Sequence, residues 1–231
     1  MDNAEKIAES YLKTLFGKVV FEPDGNITPD FLADDNIAVE VRRLNQNYFN
    51  GDETKGLEQE QITLFNSFGK ICSTFDTTIN EECYWVMPKY KRPICSMKTL
   101  KKSLKEALAK FLLLPATPQT IPIGTNFSIQ ILKAGSKTKQ KFRIGGESDQ
   151  DSGGWIHEIY TKNINHVIQE KAGKISPHKH KYNTWWLILV DQLGPLDEFD
   201  KPAIIQNLKK GTSWDQVVVI HPQSGAEIIK I

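Results

Sequence analysis

The stretch 27–44, ITPDFLADDNIAVEVRRL, reads as two short apolar strands around the acidic turn ADDN, and each strand carries one carboxylate, Asp30 and Glu40. Side chains alternate along a strand, so Ile37, Val39 and Val41 share one face while Ala38, Glu40 and Arg42 share the other. The turn decides where Asp30 points. With three turn residues, Asp34 to Asn36, Asp30 stands directly opposite Glu40, their Cβ atoms roughly 5 Å apart. With two, Asp30 pairs with Val39 and the acids face opposite ways. In the first register the carboxylates raise each other's pKa unless a cation lies between them. A divalent ion such as Mg²⁺, which favours one or two carboxylates with water and phosphate, meets that need. On the residues alone the other reading is a solvated hairpin face, with Glu40 paired to Arg42 or Arg43.

Working outward, residues 3–16 carry Ile7, Tyr11, Leu12 and Leu15 at helical spacing, with Gly17 as the stop. KVVFEPDGN adds a short strand and a turn, so the chain opens α-β-β-β with strands close enough in sequence to pair antiparallel. GDETKGLEQEQITLFNSFGKICSTF supplies a polar loop and a second helix with Leu57, Ile62, Phe65, Phe68 and Ile71 on one face, ECYWVMPKY a strand, and SMKTLKKSLKEALAKFLLL a third helix. TNFSIQILKAG and KQKFRIGG alternate as strands, and ESDQDSGG reads as a polar loop. WIHEIYTKNINHVIQEKAGKI begins as an extended segment or helix and continues as a fourth helix, and NTWWLILVDQLG, with six successive apolar residues, predicts a strand covered on both faces. PAIIQNLKK, QVVVIHP and AEIIKI complete the chain as a short helix, a strand and an edge strand. Helices alternating with strands predict an α/β fold, a central mixed sheet flanked by helices.

The chain has 231 residues and a formal net charge of +1, so no global basic field announces nucleic acid, and a polyanion site must come from local clustering. The three cysteines, Cys72, Cys83 and Cys95, have no close pairing and read as reduced thiols of a cytoplasmic protein. The amphipathic N-terminus lacks the regions of a signal peptide, and FLLL and WWLILV are too short to span a bilayer, so no membrane partner is expected.

PDF, nine residues from Asp30 to Glu40, then EVR in an α-β-β-β context resembles the PD-(D/E)XK nuclease superfamily. The resemblance implies a restriction-endonuclease-like αβββαβ core within a single domain over 1–231. That core would lie in 1–75 and 160–220, with TWWLILV as its fourth strand and an inserted accessory layer at 76–155. It implies Asp30, Glu40 and the Val41 carbonyl as ligands of Mg²⁺ (or Mn²⁺), with Glu9, or less readily Glu5, as an acid from the first helix. Arg42 occupies the lysine position. Arginine keeps the charge that orients water but does not lose its proton and so cannot act as a base. A lysine brought from the following helix would compensate; Lys55 is the nearby candidate, with Gln59 or Gln61 to orient it. The implied activity is phosphodiester hydrolysis in DNA, with RNA the second substrate; the other outcome is a catalytically degenerate module that binds nucleic acid. A homodimer is compatible with either.

Arg43, Lys55 and the basic helix face of Lys98, Lys101, Lys102 and Lys105 are the candidate phosphate contacts, joined by KYKR at 89–92 and KTKQKFR at 137–143. For that helix, an ordinary solvated face is an equal alternative. HKHK at 178–181 offers two histidines without a third ligand and reads as a loop. Trp155, Tyr48 and Phe49 are candidates for base stacking, whereas Trp185 and Trp186 read as packing.

Overall fold

The computed structural model describes residues 1–50 and 53–231. In chain order the elements are α1 (Asn3–Leu15), β1 (Val19–Phe21), β2 (Phe31–Ala33), β3 (Ile37–Leu44), β4 (Asn47–Asn50), β5 (Glu53–Gly56) and α2 (Leu57–Ser73). There follow β6 (Glu81–Tyr90), α3 (Met97–Leu113), β7 (Gln119–Gly124), β8 (Phe127–Thr138), β9 (Phe142–Ile144) and β10 (Ser148–Asp149). The chain ends with α4 (Ile156–Ile175), a 3-10 turn (Ser176–Lys181), β11 (Thr184–Asp191), α5 (Lys201–Asn207), β12 (Gln216–Ile220) and β13 (Glu227–Lys230). The fold is mixed α/β, and the chain divides into two compact units, 1–47 with 154–231, and 48–153. Among the described residues, no helix is long and apolar enough to cross a membrane.

The first unit is a six-stranded sheet in the order β1-β2-β3-β11-β12-β13. β1, β2 and β3 run antiparallel, β3, β11 and β12 parallel, and β13 closes the edge antiparallel to β12. Helix α1 begins on a capping box, the Asp2 carboxylate accepting from the Glu5 N–H and the Glu5 carboxylate from the Asp2 N–H. Its apolar face, Ala4, Ala8, Tyr11 and Leu12, packs on Phe31, Val39, Val41, Ile188 and Val190. The other face of the sheet, including Ala38, Leu44, Trp185, Leu187 and Leu189, is covered by Tyr160, Ile164, Val167 and Ile168 of α4 and Ile204 of α5. β11, apolar on both faces, is therefore the centre of a three-layer unit, as its unbroken apolar run predicts.

The second unit holds a five-stranded sheet in the order β10-β6-β8-β7, with β9 also paired to β6, and the β4–β5 pair. Helices α2 and α3 cover one face through Leu64, Phe68, Leu100, Leu104 and Leu108, which meet Val86, Tyr90, Phe127 and Ile129.

The observed units divide the chain at other bounds than the resemblance implies, with the accessory layer at 76–155 and α2 in the core of one domain. The second unit starts at residue 48, and α2 belongs to it, because its apolar stripe meets β6 and β8. QTIPIG forms strand β7, and its Pro122 is tolerated because β7 lies at the sheet edge.

Candidate active site

The turn between β2 and β3 has three residues. Ala33 pairs with Ile37, Leu32 with Ala38 and Phe31 with Val39, so Asp30, one residue before β2, stands opposite Glu40. Asp34 and Asp35 make the turn possible by adopting positive φ angles of 43° and 61°, a region that aspartate visits more readily than most residues. The Asp34 carboxylate also accepts from the Lys18 N–H at 2.9 Å, tying the turn to the start of β1.

Phe31 and Val39 point to the α1 face, so Asp30 and Glu40 point to the α4 face. Asp30 Oδ2 accepts from the Val41 N–H at 2.7 Å. Glu40 is fully buried. Its carboxylate accepts from Lys171 Nζ at 2.8 Å, from Lys174 Nζ at 3.0 Å and from the Thr28 hydroxyl. Lys171 is itself buried, while Lys174 is half exposed. Burial pushes the Asp30 carboxyl up, and the neighbouring Glu40 charge pushes it further. For Glu40 burial also acts upward, but the Lys171 ammonium, the Thr28 hydroxyl and Lys174 outweigh it and hold the carboxyl below its ordinary range. The Lys174 ammonium is raised, burial being outweighed by its bond to Glu40. The result is one firmly ionised carboxylate beside one that holds its proton more tightly.

The two lysines are the feature that sequence reading missed. Lys171 sits in the buried stripe of α4 with Ile164, Val167, Ile168 and Ile175. A lysine at a core position of an amphipathic helix is the signal that marks it, since a buried ammonium requires a buried acid. Lys55, read as the substitute lysine from a following helix, lies on β5 in the second unit; the helix that meets Glu40 is α4.

The remaining predicted residues disperse. Arg42 shares the Glu40 face and is half exposed, its guanidinium 3.7 Å from Glu170 of α4. Arg43 turns to the α1 face, where it lines a depression of about 300 Å³ with Asp2, Asn3 and Gln192. Glu9 sits on α1, which packs against the opposite sheet face, and pairs with Lys13 at 2.7 Å; Glu5 is spent in the capping box. Neither joins Asp30 and Glu40, and among the described residues no three His, Cys, Asp or Glu side chains gather as a metal cluster. Lys98, Lys101, Lys102 and Lys105 are all exposed on α3 of the second unit.

The donors at Asp30 and Glu40 nonetheless suit a hard cation. Both are carboxylates, the kind of oxygen that Mg²⁺ prefers. Val41 lies beyond Val39, the last β3 residue in register with β2, so its backbone on that edge has no ladder partner; its N–H goes to Asp30 instead. The N–H and C=O of one residue point to the same side of a strand, which directs the Val41 carbonyl toward the Asp30 edge as well. Two carboxylates and a carbonyl leave half of an octahedron to water or substrate.

A separate cavity of about 610 Å³ lies at the carboxyl ends of β11 and β12, lined by Asp191, His221, Lys201 and Ser224 among others. Its charged groups are satisfied internally. Tyr160 donates to Asp191, Lys201 pairs with Glu198 at 2.6 Å, and His221 Nδ1 accepts from the Gln223 and Ser224 N–H groups.

No protein-family model matches the chain, and no curated protein or solved structure matches it significantly.

Proposed function

We propose that the six-stranded unit is a metal-dependent phosphodiester hydrolase acting on DNA, with RNA the second substrate, built as the restriction-endonuclease-like α/β fold of the PD-(D/E)XK nucleases. The observation that carries this reading is the pairing of Asp30 with Glu40 on one sheet face, with the buried Lys171 ammonium 2.8 Å from Glu40. The order α1-β1-β2-β3-α4-β11, with the second unit inserted between β3 and α4, supports it.

Asp30, Glu40 and the Val41 carbonyl would hold Mg²⁺ or Mn²⁺, which when bound polarises a phosphate and lowers the pKa of a coordinated water. Glu40 is kept ionised by its lysines and is therefore ready as an anionic ligand. Lys171 carries three donors, so its bond to Glu40 leaves donors for a water or a phosphate oxygen as negative charge develops. It supplies the lysine that the motif carries at the position of Arg42. Arg42, permanently charged and half exposed beside α4, contributes attraction for the phosphate backbone, and Arg43 and the lysines of α3 are further candidate contacts for DNA.

A second reading is favoured by the engagement of both Glu40 oxygens by lysine and by arginine in the lysine position: a protein that binds nucleic acid without cutting it. Incubation of duplex DNA with the protein and Mg²⁺ or Mn²⁺ separates the two. Cleavage is expected, abolished in the Asp30→Ala, Glu40→Ala double variant and reduced about a hundredfold or more in Lys171→Met, the scale for losing one charge-stabilising donor. A double variant that cuts as well as the parent overturns the hydrolase assignment. A parent that binds but gains cutting only as Arg42→Lys establishes the second reading.

A further inference from the structure

Among the described residues of the second unit, helices cover one face of its sheet. Its register fixes the composition of the other. Leu132, Trp85 and Arg143 form one cross-strand row; Thr120, Gln130 and Met87 a second; Pro122, Ser128, Lys89 and Ser148 a third. Lys89, Thr120, Pro122, Gln130 and Ser148 are exposed, and the others half-buried. The Arg143 guanidinium lies over the Trp85 ring, 4.6 Å from its centroid, so the row presents one cationic group layered on an aromatic one.

Beside this layer lies a depression of about 430 Å³ lined by Met87, Lys89, Thr120, Ser128, Gln130 and Gly146, among others. At Gly145, next to Gly146 of the lining, a Cβ would stand 2.8 Å from Met87 Cγ, so glycine lets the backbone lie this close. The charge is one-sided. The three rows hold two cations and no carboxylate. Glu147, which also lines the depression, is turned to Gln61 and to the Tyr90 hydroxyl, 3.0 Å away.

We infer that this face binds single-stranded nucleic acid. Lys89 and Arg143 supply cations for phosphates; Trp85, which pairs with Arg143, is four residues from Lys89 along β6, roughly 13 Å. Ser128, Gln130, Thr120 and Ser148 line the space between as neutral hydrogen-bonding groups. A base stacks on the Arg143–Trp85 layer, as unstacked bases do on guanidinium and aromatic planes. A duplex hides its base faces from such a layer, so the unpaired strand is the occupant that the chemistry favours. This surface is distinct from the exposed lysines of α3, because α3 packs against the opposite face of the same sheet. The basic stretches 89–92 and 137–143 also divide: Lys89 and Arg143 belong to this face, whereas Arg92 is buried among Glu60, Asp149 and Asp151. The inference uses only residues of the second unit and requires no catalysis.

The test is fluorescence anisotropy on the full chain in EDTA, with labelled oligothymidylate and oligouridylate of about 20 nucleotides, longer than one binding site, and a duplex of the same length. Both single strands are expected to bind about tenfold or more tighter than the duplex, the value of one stacked base. Lys89→Glu with Arg143→Glu should weaken them about tenfold or more and lower the slope of log affinity against log salt by about 0.7 per lost phosphate contact. Gly146→Asp adds an acid to the depression where a new side chain meets no atom within 4 Å, and should weaken binding without disturbing the fold. Lys6→Glu, which reverses an exposed charge on α1 of the first unit, should leave single-strand binding unchanged and separates this surface from a general charge effect. Absent single-strand binding, tighter duplex binding, or affinities unmoved by both Lys89→Glu with Arg143→Glu and Gly146→Asp would overturn the inference. Preference between the two single strands decides only whether a 2′-hydroxyl is read.

Discussion

Asp191 shows how a single buried carboxyl ties local hydrogen bonding to pH. It ends β11, and the Tyr160 oxygen lies 2.5 Å from its Oδ2 and 2.6 Å from the Gly194 carbonyl. A phenol has one proton, so the Asp191 carboxylate and the Gly194 carbonyl share the single Tyr160 donor. Burial pushes the Asp191 carboxyl up, against the lowering effects of Tyr160, the Leu193 N–H and His221. A carboxyl raised in the folded state stabilises the fold below its unfolded value of about 3.9 and loses that contribution as pH rises through the folded value. Asp191→Asn offers Tyr160 an uncharged acceptor at every pH. Urea midpoints are therefore expected to favour Asp191→Asn over the parent progressively as pH rises above about 4. A difference that does not change with pH would contradict a raised Asp191 carboxyl. Glu40 has the opposite sign: its depressed pKa gives stability that is present above the unfolded value and lost as pH falls through the folded one.

At the scale of elements, the hairpin β2–β3 is the decisive piece. One residue more or less in its turn exchanges the two faces of β2 relative to β3. Deleting Asp35 should therefore move Asp30 away from Glu40 and turn Phe31 out of the α1 layer. The expected results are loss of cleavage and a melting temperature lowered by several degrees, since exposing a buried phenylalanine costs about 2 kcal/mol. Retention of both would show that the hairpin re-forms with another register. Helix α4 is the second determining element, because its buried Lys171 and half-exposed Lys174 both bond Glu40 while Tyr160, Ile164 and Val167 anchor it to the sheet. Most of these elements are legible in the sequence: the helical spacing of α1 and α2, the segments read as α3 and α4, and the apolar run of β11 fall on observed elements. The strands β4, β5 and β7 are not, because their short polar and proline-bearing segments lack the alternation that marks a strand.

For the whole molecule, the apolar cores divide as the chain does. One core lies entirely within residues 64–144, and the other two within 1–47 and 154–231. Each unit thus has the buried surface for independent folding. Replacing residues 48–153 by a short Gly/Ser linker is expected to leave a six-stranded unit that unfolds cooperatively, measured by circular dichroism and thermal melting. A molten product without a cooperative transition would show that the first unit depends on the second.

The sequence by itself determined the α/β class, the helix positions, the central strand β11 and the pair of acids, since each is written in local periodicity or in residue type. Three things were decided only by tertiary structure. The three-residue turn chose the register that unites Asp30 with Glu40, because residues of both hairpin strands must pack against α1 at once. Helix α4, 131 residues from Glu40 at Lys171, supplied the cations that a chain reading sought at Lys55. The helix α2 joined the second unit, because an amphipathic stripe shows that a helix buries a face but not which sheet receives it.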